Sequence, residues 1–177
     1  MLKEVGIKRL VKYFFTELWY GIFLLLPYSP LRIWWLKLGG AKIGKNCFVD
    51  RVCLMNLDRT GLAGLTLGNN CYLGPLVLLD LAGKISLGDQ VTISAKATIL
   101  SHHSVGWSNH PLLRFYPKKV ELTRLKNGVV IGVGAIILPG VAIGRNSLVA
   151  AGAVVNTNLP VQIMAAGVPA VVKKKLK

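Results

Sequence analysis

The chain has 177 residues, of which 53% are hydrophobic, and its 22 Lys and Arg outweigh 7 Asp and Glu to give a net charge of +15. That length fits one domain with a sizeable core. The basic charge, together with a mean hydropathy of +0.51, points to an anionic membrane leaflet as partner. It does not point to nucleic acid, because the chain carries no helix-turn-helix, zinc-finger or RNA-binding signature. Three cysteines, Cys47, Cys53 and Cys71, without a CxxC, exclude a disulfide framework and a cysteine zinc site, and imply a reducing compartment.

Residues 1–38 form the first region. Val11, Phe14, Phe15, Leu18, Trp19 and Ile22 follow helical three-four spacing, and Lys8, Arg9 and Lys12 crowd the start. Pro27 and Pro30 break the segment. The apolar run ending at Pro27 carries Glu17 and is short for a membrane span. No small-residue cleavage site follows it, which argues against a secretory signal peptide. Two readings stand. The segment is an interfacial helical hairpin with aromatics at headgroup depth and basic residues towards anionic lipid, or it caps the domain that follows or meets another subunit.

From residue 39 to residue 177 a different period takes over. Large apolar residues recur every six positions at Ile131, Ile137, Ile143, Val149 and Val155, and small ones stand four places after each at Ala135, Val141, Ser147 and Ala153. The same register holds for Leu87 and Ile93, for Leu67 and Leu73, and for Ile43 and Val49. On this register all three cysteines fall in the small-residue slot, as ordinary core residues. Neither a helix nor a simple strand gives a period of six. A solenoid of short strands does, with three six-residue sides closing one triangular coil. The period breaks at 55–66, by two residues near Ala82–Gly83, and over 101–128, which is too polar and irregular to stay in a coil. That last stretch is expected to project as a loop, and long loops on rigid scaffolds carry function. The tail VVKKKLK adds further positive charge.

The three histidines, His102, His103 and His110, all lie in or at the root of that loop. The stretch VTISAKATILSHHS (91–104), then VVIGVGAIILPGVAIG, VAAGAVV and MAAGVPAVVKK (164–174), closely resembles the hexapeptide-repeat acetyltransferases. The resemblance covers roughly residues 41–174 and implies a mainly β chain: a left-handed parallel β-helix with an N-terminal helical segment and a protruding loop. It implies acetyl-CoA as co-substrate and no metal. His102 takes the place of the general base, since Ser101-His102-His103 stands where relatives read Thr-His-Asp. Asp80 matches an acceptor-contacting aspartate, although a solvated corner residue is an equal reading. Trp107, with Arg114 and Tyr116, offers stacking or anion contacts to an acceptor, or simply packs the loop. Gly134, Ala135, Ala151, Gly152 and Asn156 match positions along the cofactor arm, and Lys173 and Lys174 are candidates for its phosphates. Val130 and Ala153 depart from the tryptophan and serine common in relatives. The resemblance also implies a homotrimer with the cofactor lodged between prisms.

The N-terminal segment followed by LRIWWLKLGGAKIGKNCFV resembles acetyltransferases of exopolysaccharide and surface-glycan pathways. That implies a lipid-linked or polysaccharide sugar acceptor and a peripheral position on the inner face of the cell membrane. A small free acceptor (a sugar, serine or an antibiotic) and a non-catalytic scaffold are the alternatives. A zinc lyase on the same solenoid needs histidines on separate coils, and here two of the three are adjacent.

Overall fold

The computed structural model describes residues 7–176, without the side chains of Lys8 and Arg9. The remaining ends of the N-terminal segment (1–6) and of the basic tail (177) lie outside the described residues. Two helices come first, α1 (Ile7–Leu25) and α2 (Ser29–Leu38). A three-sided prism of short parallel strands follows, as the six-residue period requires.

The first side stacks β1 (Lys42–Ile43), β4 (Leu65–Leu67), β7 (Ile85–Leu87), β12 (Thr123–Leu125) and β15 (Ala142–Ile143). The second stacks β2 (Phe48–Val49), β5 (Tyr72–Leu73), β8 (Thr92–Ile93), β13 (Val130–Ile131), β16 (Leu148–Val149) and β18 (Ile163–Ala166), and β19 (Val171–Lys175) closes it antiparallel to β18. The third stacks β3 (Cys53–Met55), β6 (Leu78–Asp80), β9 (Thr98–Ile99), β14 (Ile136–Ile137) and β17 (Val154–Val155). A hairpin of β10 (His102–His103) and β11 (Lys119–Val120) projects after β9.

Both slots of the repeat point inwards. Ile131, Ile137 and Ile143 are buried, and so are Ala135, Val141 and Ala153 four places later. Large and small residues alternate along each coil and together fill the interior. Ser147, in the same slot, donates its hydroxyl to the Pro160 carbonyl at 2.8 Å, so its polar atom is not stranded. Cys47 and Cys71 also occupy this slot, each sulfur 3.1 Å from a glycine carbonyl one coil on. Burial pushes the Cys71 thiol up to about 11, which keeps it protonated and unreactive.

Two expectations need correction. Cys53 is not in the small-residue slot. It pairs in register with the outward Leu78, while Val52 and Leu54 point in, because the first coil is one residue short between Val49 and Val52. The projecting loop is also shorter than 101–128. Thr123 and Leu125 return to the prism wall as β12, buried on either side of the exposed Arg124. Leu125 stands six residues before Ile131, so the period had already resumed there.

The helices cap one end of the prism. Trp35 donates to the Trp19 carbonyl at 3.1 Å and stacks on the Trp19 ring at 4.9 Å, which locks α1 to α2. Tyr20 donates to the Val52 carbonyl at 3.0 Å beside the buried Phe23, and burial raises its phenol to about 12. Arg32 is buried and donates to the Leu26 carbonyl (2.9 Å), the Pro27 carbonyl (3.3 Å) and Asp50 (3.3 Å), so its charge is fully partnered. The opposite face of α1 is unpacked: Ile7, Val11, Phe14, Phe15, Leu18, Ile22 and Leu25 form an exposed stripe along its length. No described helix is long and apolar enough to cross a membrane.

The three outer faces differ. The outward row of the first side is Lys42, Thr66, Ser86, Arg124 and Ala142. On the third side it is Cys53, Leu78, Thr98, Ile136 and Val154, and on the second it is the stacked Phe48 and Tyr72, then Thr92, Val130, Leu148 and Met164. One face is wet and two are largely apolar.

Candidate active site

The polar centre of the molecule lies at the corner between the third and first sides. Each coil turns there, and the three insertions into the period named above all fall on it: 55–64, 80–84 and the hairpin loop after Leu100. Asp80 ends β6 at this corner and is only 1% exposed. One carboxylate oxygen, Oδ2, accepts from His102 Nδ1 at 2.6 Å, His102 N at 3.0 Å and Ser101 N at 3.0 Å. The other, Oδ1, accepts from Asn56 Nδ2 at 2.7 Å and Ala82 N at 3.2 Å. The Ser101 hydroxyl donates to the Asp80 carbonyl and accepts from Gly83 N at 2.8 Å.

Burial alone would raise the Asp80 carboxyl. The hydrogen bonds from His102, Ser101, Asn56 and Ala82 outweigh it and hold the carboxyl below its ordinary value. Asp80 is therefore ionised and can only accept. It follows that His102 carries its ring proton on Nδ1, and that Nε2 is the acceptor nitrogen of the neutral ring. The His102 side chain is 21% exposed, so the ring reaches the surface with its back to a buried carboxylate. This is the arrangement of an oriented general base.

The sequence reading paired Asp80 with an acceptor. The structure instead places it behind the imidazole, its oxygens taken by five donors, and closed to solvent. His103 points the other way, its Nε2 3.0 Å from the Pro117 carbonyl. His110 accepts from Leu112 N and caps a short 3-10 turn, Pro111–Arg114. Trp107 is 60% exposed in the loop, and Arg114 lies over the Phe115 ring at 4.7 Å. Among the described residues no group of three metal-ligating side chains converges.

The proposed cofactor positions divide. Gly134 and Gly152 sit at a different corner, between the second and third sides, with φ of +66° and +68° and, beyond their own chain neighbours, no heavy atom within 4 Å of where a Cβ would stand. A left-handed turn with open space outside it suits a ligand lying close along the backbone. Ala151 shares this exposed corner. Ala135 does not: its methyl is buried inside the prism, its N–H donates to the Gly132 carbonyl and its carbonyl accepts from Thr98 N. It is a core residue with nothing to offer a ligand. Asn156 follows β17 and is exposed at the His102 corner, two coils further on. Lys173 and Lys174 are exposed on β19, and the pairing of Lys174 with Met164 and Val171 with Ala166 carries them away from the glycine corner along the second side.

Asn56 and Ser101 were missed as site residues. The only signal was indirect: Asn56 lies inside a break in the period that recurs at the same corner as the histidine.

Comparison with known proteins agrees with this architecture. Residues 123–157 match the family model "Bacterial transferase hexapeptide (six repeats)". A galactoside O-acetyltransferase of Lactococcus lactis is 32% identical over 142 residues, 80% of this chain and 66% of that protein. A serine acetyltransferase of Buchnera aphidicola is 33% identical over 106 residues, 56% of this chain and 34% of that protein. The chain thus spans less than two thirds of the curated relatives it matches. Among solved structures, a galactoside acetyltransferase in complex with coenzyme A superposes with a TM-score of 0.79 at 24% identity, over 97% of this chain and 84% of that one. Residues 123–157 thus carry the six-residue repeat of those transferases, and the prism has the left-handed parallel β-helix fold of its solved neighbours.

Proposed function

We propose that the protein is an acetyl-CoA-dependent O-acetyltransferase acting on a sugar hydroxyl, with His102 as general base and Asp80 as its positioning residue. The observation that carries this is the 2.6 Å bond from His102 Nδ1 to the buried Asp80 carboxylate. It fixes the tautomer and aims Nε2 outwards. In the reaction, Nε2 takes the proton of the acceptor hydroxyl as that oxygen attacks the thioester carbonyl. The tetrahedral intermediate collapses, the carbon–sulfur bond breaks, and the imidazolium returns the proton to the departing thiolate. Positioned proton transfer of this kind contributes about 10²–10⁴-fold. The coenzyme A named in the solved relative's complex, and the sugar and serine acetyltransferases among the relatives, support this class of reaction.

His102 and the Gly134–Gly152 turns stand on two different corners, with the third side between them. A homotrimer resolves the separation, because the corner of one prism then faces the wall of the next and the cofactor lies between. The apolar outer rows of the second and third sides, against the polar first side, fit such packing. Gly134, Ala151 and Gly152 are then the arm-binding turns, Asn156 lies on the histidine side, and Lys173 and Lys174 remain the candidate phosphate partners. Trp107, exposed on the loop rooted at His102, is the candidate platform for the sugar.

The acceptor we favour is lipid-linked or part of a polysaccharide precursor, presented at the inner face of the cell membrane. The exposed stripe of α1 is a surface for shallow insertion. Release of coenzyme A thiol from acetyl-CoA, followed with a panel of methyl glycosides, serine and vesicle-borne glycolipids, tests the reading. Thiol release with the sugars and not with serine is expected. Release with serine alone would move the acceptor to a small amino acid, and no release would remove the transferase.

A further inference from the structure

A concave site lies on the His102 corner, one coil level above Asp80. It is a cavity of about 410 Å³ between α1 and the turn at 57–63, within the roughly 300–1,000 Å³ of small-molecule sites. Phe15 and Trp19 from α1 form one wall, and Leu57 and Leu62 form the other. Lys12 stands at its rim, exposed and donating to the Arg59 carbonyl at 3.0 Å. Nothing in the chemistry so far described uses it.

Its place in the fold is specific. Thr60 anchors the 57–63 turn on the next coil, bonding the carbonyls of Leu81 and Gly83. Asn56, immediately before the turn, donates to Asp80, and Asp80 holds His102. The cavity, the carboxylate and the imidazole are therefore successive levels of one edge. At about 4.8 Å per coil, the floor of the cavity lies roughly 5–10 Å above the imidazole level, room for a sugar and its phosphate link. At its other end the cavity is continuous with the surface, because Phe15 belongs both to its wall and to the exposed stripe of α1.

We propose that this groove holds the apolar chain of an anionic lipid-linked acceptor, with Lys12 at the linking phosphate and the sugar hanging down the edge to His102. The proposal rests on the acetyltransferase reading and names its substrate class. An apolar slot with the Lys12 cation at its rim complements a single hydrocarbon chain ending in a phosphate. A free sugar would leave the slot without an occupant.

Two probes test it on the full chain. Binding of dodecyl phosphate, below its critical micelle concentration, is compared with butyl phosphate by titration calorimetry. At least tenfold tighter binding of the longer chain is expected. Ala63→Trp and Thr16→Trp both fill the groove from its lining, and each should remove that advantage while the circular dichroism spectrum is kept. Phe14→Ser with Leu18→Ser, on the exposed stripe outside the cavity, should leave it within about twofold. Unchanged binding in both groove variants, or loss only in the stripe variant, would overturn the proposal. Acetyl transfer is then compared for octyl and methyl β-galactoside. A lower KM for the octyl compound in the parent protein, lost in Ala63→Trp with unchanged kcat on the methyl compound, supports the groove. Thiol release with equal KM values counts against the groove alone. Absence of thiol release with both galactosides counts against the transferase instead.

Discussion

Two corners of the same prism have diverged. At the corner between the second and third sides the chain turns with few extra residues, and Gly134 and Gly152 leave open space outside. At the corner between the third and first sides every early coil is elaborated. There the inserted residues bury Asp80, seat His102 against it and build a groove above. The contrast shows how a repeat that only needs to close its coils can keep one corner bare and elaborate another. A bare corner lets a long flexible ligand lie along the backbone. A decorated corner provides the desolvation and fixed donors that set a proton's position.

Substitutions on each corner should separate these roles. The largest effect is expected from His102→Ala, which should cut transfer at saturating substrate by at least about a hundredfold, the lower end for loss of a general base. Its stabilisation by acetyl-CoA in a thermal melt should stay. Asp80→Asn should follow, lowering kcat by at least about tenfold, because an amide no longer enforces Nδ1–H on the imidazole. It should also cost about 1–3 kcal/mol of stability, since five donors lose a carboxylate partner. A normal kcat in Asp80→Asn would break the link between burial and catalysis.

At the bare corner the expectation reverses. Gly152→Val places a β-branched side chain at φ +68°, with a strain of about 1–2 kcal/mol, and into the open space assigned to the ligand. KM for acetyl-CoA should rise at least tenfold and kcat should fall little. A kcat loss without a KM change would contradict the assignment. The smallest effect is expected from Trp107→Ala, a rise of a few-fold in acceptor KM with kcat retained.

A pH series sharpens the same comparison. The Asp80 carboxyl is held below its ordinary value of 3.8, so its folded form binds a proton less readily than its unfolded form. Its contribution to stability is full above that value and is lost as pH falls through the lower folded value. The difference in melting temperature between parent and Asp80→Asn should shrink as the pH falls below about 4. A gap that widens below about pH 4 would reverse the sign.

The repeat was legible because every sixth side chain must point inwards, and Ile131, Ile137, Ile143, Val149 and Val155 all do. His102 was singled out by its neighbours in sequence, and the structure sets it against a buried carboxylate. What surrounds it was not legible. Asp80 stands 22 residues before His102, and only the two extra residues near Ala82–Gly83 set which coil level meets which. The same limit applies to Cys53, where one missing residue turned an inward slot outwards. It applies again to β12, where the inward Thr123 and outward Arg124 made a wall strand look like loop. In α1 the three-four spacing was plain, but it combined two faces: Trp19 packs on the prism while Phe14, Phe15 and Leu18 do not.

The central claim is that the bare corner binds acetyl-CoA and the decorated corner uses it. The melting temperature in detergent, with and without acetyl-CoA at about 100 times its dissociation constant, tests it most directly. Binding at that level adds about 2.7 kcal/mol, a rise of roughly 5 °C or more for a chain of this size. The account predicts that rise in the parent protein and in His102→Ala, and a rise cut to about half or less in Gly152→Val at the same acetyl-CoA concentration. An unchanged melting temperature in the parent would contradict it.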